Sequence, residues 1–248
     1  MTGIGTLRAL VTGGASGIGL ATAQEFSRSG IEVAVLDRAD VGPDDLIFVS
    51  ADVTRDQQVR RAVASAISQL GGLDILVNCA GIGAQGGIEV NSDDEWHHVL
   101  DVNVVGIARV SRAALDALLS SSAAAIVNVS SICATVGLPD RVLYSAAKGA
   151  VLSMTLAMAA DLTPRGIRVN AVNPGTTDTP WIGRLLDRAE NPENERRELE
   201  KRQVHGRLVT AQEVAGAIAY LASPVSGSTT GTYLAVDGGM QRLQVRSG

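Results

Sequence analysis

A tyrosine and a lysine stand four residues apart in "DRVLYSAAKG", residues 140–149, as Tyr144 and Lys148. On a helix, this spacing places both side chains on one face, where an ammonium group can act on a phenol. Arg141 stands just before them as a further charge. The alternative interpretation is the start of an ordinary surface helix, so the rest of the chain has to decide between the two.

A glycine-rich turn in "VTGGASGIG", residues 11–19, is the second candidate for chemistry. Gly13, Gly17 and Gly19 would let the backbone pass close to a pyrophosphate, whose charge suits a helix N-terminus. The spacing G-x-x-x-G-x-G differs from the common dinucleotide fingerprint, and a purely structural turn is the alternative. Its position at the first strand-to-helix junction favours nucleotide binding.

Asp37 ends the second strand-like run, "IEVAVLD", and predicts which dinucleotide binds. An acid at this position accepts hydrogen bonds from the adenosine ribose hydroxyls and repels a 2′-phosphate, which favours NAD. Arg38 could favour NADP, but Ser16 in the glycine loop supplies no second cation. In "ADV", residues 51–53, Asp52 is a candidate for the adenine wall or for the N-terminal cap of the next helix.

The elements that must position these residues alternate between short β-branched runs and longer Ala-rich segments, a pattern typical of a parallel sheet. The predicted strands are residues 7–12, 31–37, 46–50, 73–78, 124–130, 167–172 and 232–236. Helices between them end near Gly30, Gly71 and Gly166, as left-handed caps favour glycine. Without a linker or repeat, residues 1–248 are predicted to form one domain. The strandless residues from about 174 to 205 are predicted to be a substrate lid.

Composition narrows the class of protein. A net charge of −5 argues against nucleic acid as the main partner and leaves room only for local basic clusters. We expect no membrane span, because no apolar run approaches the roughly 20 residues required, and a cytosolic location, because no secretory pattern precedes the first strand. Cys79 and Cys133 are predicted to be buried free thiols. His97 and His98 lack partners at metal-ligand spacing, so no metal site is predicted.

Seven motifs occur in the order that is typical of the short-chain dehydrogenase/reductase family, which the chain resembles over almost its whole length. They are "TGGASGIG" at 12–19, "NCAG" at 78–81, Asn103 in "DVNVVG", "NVSS" at 128–131, "YSAAK" at 144–148, "NPG" at 173–175 and "VDGG" at 236–239. Cys79 replaces a frequent asparagine, and a glycine common after the serine is missing from "SSICA". The resemblance implies an α/β fold, a single-domain Rossmann-type doubly wound seven-stranded parallel sheet with helices on both faces. It also implies a homotetramer.

The same resemblance assigns catalytic roles. Tyr144 would exchange a proton with the substrate oxygen, its pKa lowered by Lys148 and by the nicotinamide charge, and Ser131 would hydrogen-bond that oxygen. Ser130 is the alternative serine. Lys148 would also hold the nicotinamide ribose, and Asn103 would anchor a water, or else only kink its helix. The implied cofactor-binding residues are Gly13, Ser16, Gly17, Ile18, Gly19, Asp37, Asp52, Val53, Asn78, Ala80, Gly81, Tyr144, Lys148, Pro174, Gly175, Thr177 and Thr179.

The segments "NPGTTDTPWIGRLLDR" and "KRQVHGRLVTAQEVA" resemble a narrower branch, which includes cytosolic 3-hydroxybutyrate dehydrogenases and 2-keto-3-deoxy sugar acid dehydrogenases. That likeness implies that Arg141, Arg184 and Arg202 bind a substrate carboxylate beside Ser131 and Tyr144, a task suited to the guanidinium fork. Arg196 and Arg197 are instead predicted to lie on a solvated helix face. Two alternatives stay open, a 3-oxoacyl-carrier-protein reductase that uses NADPH and a non-catalytic dinucleotide-sensing regulator.

Overall fold

A computed structural model describes residues 6–187 and 189–244. The strands are β1 (Arg8–Thr12), β2 (Glu32–Asp37), β3 (Ile47–Ser50), β4 (Ile75–Asn78), β5 (Ala125–Val129), β6 (Arg168–Pro174), β7 (Thr177–Asp178), β8 (Val209–Thr210) and β9 (Tyr233–Val236). The helices are α1 (Gly17–Arg28), α2 (Asp56–Leu70), α3 (Asp93–Leu100), α4 (Gly106–Leu119), α5 (Val142–Leu162), α6 (Pro180–Leu186), α7 (Pro192–Lys201) and α8 (Ala211–Ala222).

Seven of these strands form one all-parallel sheet in the order β3-β2-β1-β4-β5-β6-β9. The predicted doubly wound α/β fold is therefore confirmed, and each predicted strand overlaps an observed one. The chain runs outward from β1 to β3 and then returns to β4 on the other side of β1. Ligands bind at such a reversal of strand order, beyond the carboxyl ends of the strands.

The two faces of the sheet pack into separate hydrophobic cores. Leu76 and Ile126 belong to one core, whereas Val77 and Val127, the next residues along the same strands, belong to the other. Successive side chains of a strand point to opposite faces, so a strand that is buried on both faces is apolar throughout. Helices α2 and α4 cover the first core, and α1 and α8 cover the second.

The predicted lid contains more regular structure than its sequence indicated. The short strand β7 pairs in parallel with β8, so the expectation of a stretch without any strand is wrong. Pairing of two residues leaves no periodicity that a sequence can show. Helices α6 and α7 lie between β7 and β8 in the sequence. Ile182, Leu199 and Leu208 form a small separate apolar cluster in this region.

Helix α5 is part of a longer apolar run than was expected from the sequence. Together with the turn that follows it, Val142–Arg165 is long and apolar enough to cross a membrane by length and composition. The expectation that no apolar run approaches this length is therefore wrong. In this fold, α5 packs against β6 and buries Leu143, Ala147 and Val151. The same helix carries Tyr144 and Lys148 to the carboxyl edge of the sheet.

Candidate active site

A cavity of about 520 Å³ runs along the carboxyl ends of the strands and under the lid. It brings together most of the residues that the sequence singled out. The predicted residues that line it are Gly13, Ser16, Gly17, Ile18, Gly19, Asp37, Asp52, Val53, Ala80, Gly81, Ser131, Arg141, Tyr144, Lys148, Pro174, Gly175, Thr177, Thr179, Arg184 and Arg202.

Two predicted residues do not line the cavity. Asn78 is buried inside the sheet, where its amide nitrogen donates to Asn128 Oδ1 at 2.9 Å and to Ser111 Oγ at 3.1 Å. Its side chain therefore has a structural role, and its assignment to cofactor binding stays a prediction. Asn103 is fully buried, and its side chain exchanges two hydrogen bonds with the backbone of Ile82, at 2.8 and 3.0 Å. It lies within a π-helical turn, Asp101–Val105, a local departure from regular α-helix between α3 and α4.

The glycine loop has the shape that a pyrophosphate requires. Gly13 and Gly17 have φ values of +67° and +54°, which side-chain-bearing residues rarely adopt. Helix α1 begins at Gly17, and the side chain of its cap, Ser16, makes no capping hydrogen bond. The first turn of α1 contains no acidic residue that would repel a phosphate. The loop and the helix N-terminus therefore fit a dinucleotide phosphate group.

Two carboxylates stand at the β2–β3 side of the cavity. Asp37 is oriented by backbone N–H groups, since Ala15 donates to Oδ2 and Ala39 donates to Oδ1, both at 3.1 Å. Asp52 Oδ1 accepts from the backbone N–H and the hydroxyl of Thr54, both at 2.8 Å. Because α2 begins only at Asp56, Asp52 is not the helix cap that was one alternative; it forms a local turn at the cavity wall.

Tyr144 and Lys148 lie on one face of α5, as their spacing predicted, with Lys148 Nζ 5.7 Å from the centre of the tyrosine ring. Burial lowers the pKa of Lys148 to about 8, and its ammonium group donates to the Val129 carbonyl at 3.0 Å. Burial also raises the pKa of Tyr144 above its ordinary value, while the Ser131 hydroxyl and the Arg141 charge act in the opposite direction. The protein's own groups therefore do not lower the pKa of Tyr144, contrary to the expectation.

The two candidate serines differ in what their hydroxyls do. Ser130 Oγ donates to the Lys148 carbonyl at 2.8 Å, which uses its only proton inside the protein. Ser131, the predicted donor, accepts at Oγ from the Cys133 N–H at 3.2 Å, a bond that does not use the hydroxyl proton. The geometry favours Ser131 as the donor to a substrate oxygen.

The lid and the start of α5 make one side of the cavity basic. Arg141, Arg184 and Arg202 line it together with Lys148. The charges of Arg141 and Arg202 both act to lower the pKa of the thiol of Cys133, two residues after the serine pair, against the burial that raises it. Within the described residues, none of these three arginines has a carboxylate at ion-pair distance. Their charges are thus available to an anionic ligand.

Several lining residues were missed by sequence reasoning. His98, set aside above, lines the cavity with Val102 one helical turn later, and no sequence signal pointed to either residue. Trp181 lines the cavity from α6, with its ring against Gly83. Cys79 and Cys133 are free thiols, as predicted, and both lie in the cavity wall. Burial raises the pKa of Cys79 to about 12, which keeps that thiol protonated.

The fold and the site together define an oxidoreductase that binds a nicotinamide dinucleotide. The family described as "Enoyl-(Acyl carrier protein) reductase" matches residues 13–241. The chain is 38% identical to "2-(S)-hydroxypropyl-CoM dehydrogenase 3" of Xanthobacter autotrophicus, over 94% of this chain and 96% of that protein. It is 39% identical to "Cis-4-hydroxycyclohexanecarboxylate dehydrogenase" of Sinomonas cyclohexanicum, over 93% and 95%.

A solved structure agrees with these relatives. A variant of actinorhodin polyketide ketoreductase, crystallised with NADPH, has a TM-score of 0.91 and 30% identity, covering 98% of this chain and 100% of that chain. The chain therefore belongs to the short-chain dehydrogenase/reductase family, whose members interconvert secondary alcohols and ketones.

Proposed function

We propose that this enzyme uses NAD to interconvert a secondary alcohol and a ketone on a small substrate that bears a carboxylate, such as a 3-hydroxybutyrate-like acid or a 2-keto-3-deoxy sugar acid. The observation that carries the proposal is that Arg141, Arg184 and Arg202 line one cavity with Tyr144. The relative from Sinomonas cyclohexanicum is named for a substrate that combines a hydroxyl group with a carboxylate.

In this proposal, Tyr144, Ser131 and Lys148 have different roles in the proton transfer. In oxidation, the Tyr144 phenolate takes the proton of the substrate hydroxyl; in reduction, the phenol returns a proton to the carbonyl oxygen. Ser131 donates a hydrogen bond to that oxygen. Lys148 supplies the positive charge that favours the phenolate and holds the cofactor ribose. The nicotinamide, when bound, accepts or supplies the hydride, and its positive charge adds to that of Lys148 against the burial that raises the Tyr144 pKa.

The arginine assignment is tested by comparing an acid with its neutral ester. Arg184→Ala or Arg202→Ala should lower kcat/KM for 3-hydroxybutyrate about tenfold or more, because each removes a charge-assisted contact, and should leave the methyl ester nearly unaffected. Arg197→Ala is the matched control, since it is exposed on α7 and does not line the cavity. A panel of hydroxy acids, including cis-4-hydroxycyclohexanecarboxylate, covers the substrate class. Equal use of acid and ester by the wild type would contradict the proposal.

Arg196 is not a suitable control. It was predicted to lie free on a solvated face, but its guanidinium pairs with Asp178 at 2.9 Å and with Glu200 at 3.1 Å. The contact with Asp178 joins α7 to β7, so removing Arg196 also disturbs the anchoring of the lid.

The preference for NAD rests on Asp37. Its carboxylate lines the cavity and is held by two backbone N–H groups, so a 2′-phosphate would meet a fixed negative charge. We expect kcat/KM to be higher with NAD than with NADP, and Asp37→Ala to narrow that difference. Arg38 also lines the cavity and would favour NADP. If the wild type uses NADP equally well or better, the assignment is wrong.

A carrier-protein reductase is the second candidate. It is favoured by the description of the matching family and by the NADPH of the polyketide ketoreductase relative. Turnover of a 3-oxoacyl thioester with NADPH, faster than turnover of any hydroxy acid with NAD, would establish it. A dinucleotide-sensing regulator would show cofactor binding and no turnover in either assay.

Assembly and location complete the proposal. We propose a homotetramer located in the cytoplasm, with neither nucleic acid nor membrane as a partner. The net charge of −5 supports the absence of a nucleic-acid partner. The exposed apolar side chains of Leu234 and Leu243, in and after the C-terminal strand, support the assembly.

A further inference from the structure

Asp140, the residue before Arg141, has a backbone conformation that side-chain-bearing residues rarely adopt. Its φ is +56°, the only positive value among the described residues other than glycine. Aspartate and asparagine tolerate this left-handed region better than β-branched residues, which have a bulkier Cβ. Such a conformation persists only where neighbouring contacts hold it.

Two hydrogen bonds hold the Asp140 carbonyl oxygen. The Gly86 N–H donates to it at 3.0 Å, and Arg141 Nη1 donates at 2.7 Å. Gly86 forms an isolated parallel bridge with Arg141, and the Val142 N–H donates back to the Gly86 carbonyl at 3.4 Å. The loop that follows β4 is thus joined to the start of α5 at the residue that carries the guanidinium group.

This arrangement restricts the direction of the Arg141 side chain. The contact with Asp140 uses one of the five N–H donors of a rigid, planar group, so a short bond at one nitrogen orients the plane and leaves the other donors for a ligand. Arg141 is only partly exposed and lines the cavity with Tyr144. Its helix position is fixed as well, since its carbonyl accepts from the Ser145 N–H at 2.7 Å.

We infer that the backbone bridge between Gly86 and Asp140 is a positioning device for Arg141, and that it sets the preference of this enzyme for anionic over neutral substrates. The inference rests on the proposed function, because it concerns the same carboxylate contact. Asp140 and Gly86 are positioning residues that act through Arg141. The side chain of Asp140 is exposed, so its backbone conformation is the property that matters.

The test separates backbone conformation from side-chain chemistry. Asp140→Gly keeps the left-handed conformation accessible and should retain wild-type kinetics. Asp140→Val disfavours it and should raise KM for 3-hydroxybutyrate, lowering kcat/KM about tenfold, with kcat and the kinetics of the methyl ester little changed. The same pair of measurements with cis-4-hydroxycyclohexanecarboxylate and its methyl ester extends the comparison to a longer acid.

Gly71→Val is the matched control for strain. Gly71 has φ +71° at the end of α2, no atom lies within 4 Å of an added Cβ, and the residue does not line the cavity. This variant should lower the melting temperature and leave the acid-to-ester ratio of kcat/KM unchanged. If Asp140→Val does not fold, Asp140→Ala should give a smaller shift of the ratio in the same direction.

The possible outcomes separate the two claims. If the wild type does not favour the acid over the ester, the proposed function fails and this inference fails with it. A second case is a wild type that favours the acid while Asp140→Val and Asp140→Ala either change kcat/KM equally for acid and ester or leave both values unchanged. In that case, only the positioning role is overturned. Loss of the preference in Asp140→Gly as well would also overturn it, since the side chain would then be responsible.

Discussion

At the residue scale, the site contains groups that the proposed chemistry needs and that are costly to bury. Lys148 is 5% exposed, and the only hydrogen bond of its ammonium group to a described residue goes to the Val129 carbonyl. Burial moves its pKa from 10.5 to about 8, so the folded state disfavours the charged form that the proposed chemistry uses. This is a local conflict between stability and activity.

The conflict predicts that Lys148→Met abolishes turnover and raises the free energy of unfolding by an amount on the order of 1 to 3 kcal/mol at pH 7. Because the folded pKa of Lys148 is below the unfolded value, the wild-type penalty is fully present below pH 8. It disappears as the pH rises toward 10.5, the unfolded value. Denaturant unfolding of the cofactor-free protein at pH 7 and at pH 9.5 measures both effects.

Tyr144→Phe is the comparison for that experiment. It should also abolish turnover, since it removes the proposed proton-transfer group, while the difference in stability between the two pH values should stay as in the wild type. The Tyr144 pKa is raised above its ordinary value, so the phenol stays neutral across this range. Equal stability of wild type and Lys148→Met at both pH values would contradict the burial argument.

At the element scale, the lid has a small core that is separate from the two main ones. Leu208 is 4% exposed and packs with Ile182 and Leu199, but it does not line the cavity. A buried leucine-to-alanine change lowers the free energy of unfolding of the structure around it by about 2 to 5 kcal/mol. In this cluster, we expect the lost stability to let the lid open before the sheet unfolds.

We therefore expect Leu208→Ala to increase proteolytic cleavage within residues 175–205 and to raise KM, with a smaller fall in melting temperature than a main-core variant. Leu118→Ala is the matched variant, because Leu118 is fully buried in the main core. It should lower the melting temperature without selective cleavage of the lid. Cleavage of both variants at the same positions and rates would show that the lid does not open as a separate unit.

At the scale of the whole molecule, the C-terminal side of the sheet leaves apolar side chains exposed. Leu234 of the edge strand β9 is 38% exposed, Leu243 is 58% exposed and Val225 is 88% exposed. Large exposed apolar side chains are candidates for burial against a partner. The proposed tetramer would cover these side chains. The C-terminal residues 245–248 lie outside the described part of the chain.

Light scattering should then give four times the 25.6 kDa mass of the chain. Leu234→Glu should lower the measured mass, because it places a charge on the edge strand, whereas Ile88→Glu should not, although Ile88 is 71% exposed on the loop between β4 and α3. A monomer at micromolar wild-type concentration would contradict the proposal.

Much of the fold could be predicted because its determinants are local. Buried parallel strands are mostly apolar, as at Ile75, Leu76 and Val77 of β4, and left-handed helix ends select glycine, as at Gly71. The four-residue spacing of Tyr144 and Lys148 sufficed to predict a shared helix face. For the same reason, the glycine loop and Asp37 were found at the ends of their strands without any knowledge of the neighbouring elements.

The tertiary structure decided what depends on neighbours distant in sequence. Asn78 and Asp37 both end apolar strands, yet packing places the first inside the sheet and the second in the cavity. The sequence by itself determined the order of the seven main strands, the glycine-rich turn and the shared helix face of Tyr144 and Lys148, because each depends on local periodicity or spacing. Only the tertiary structure decided that burial raises the Tyr144 pKa and that Gly86 holds the backbone beside Arg141, because desolvation and hydrogen bonding between remote segments arise only when those segments pack.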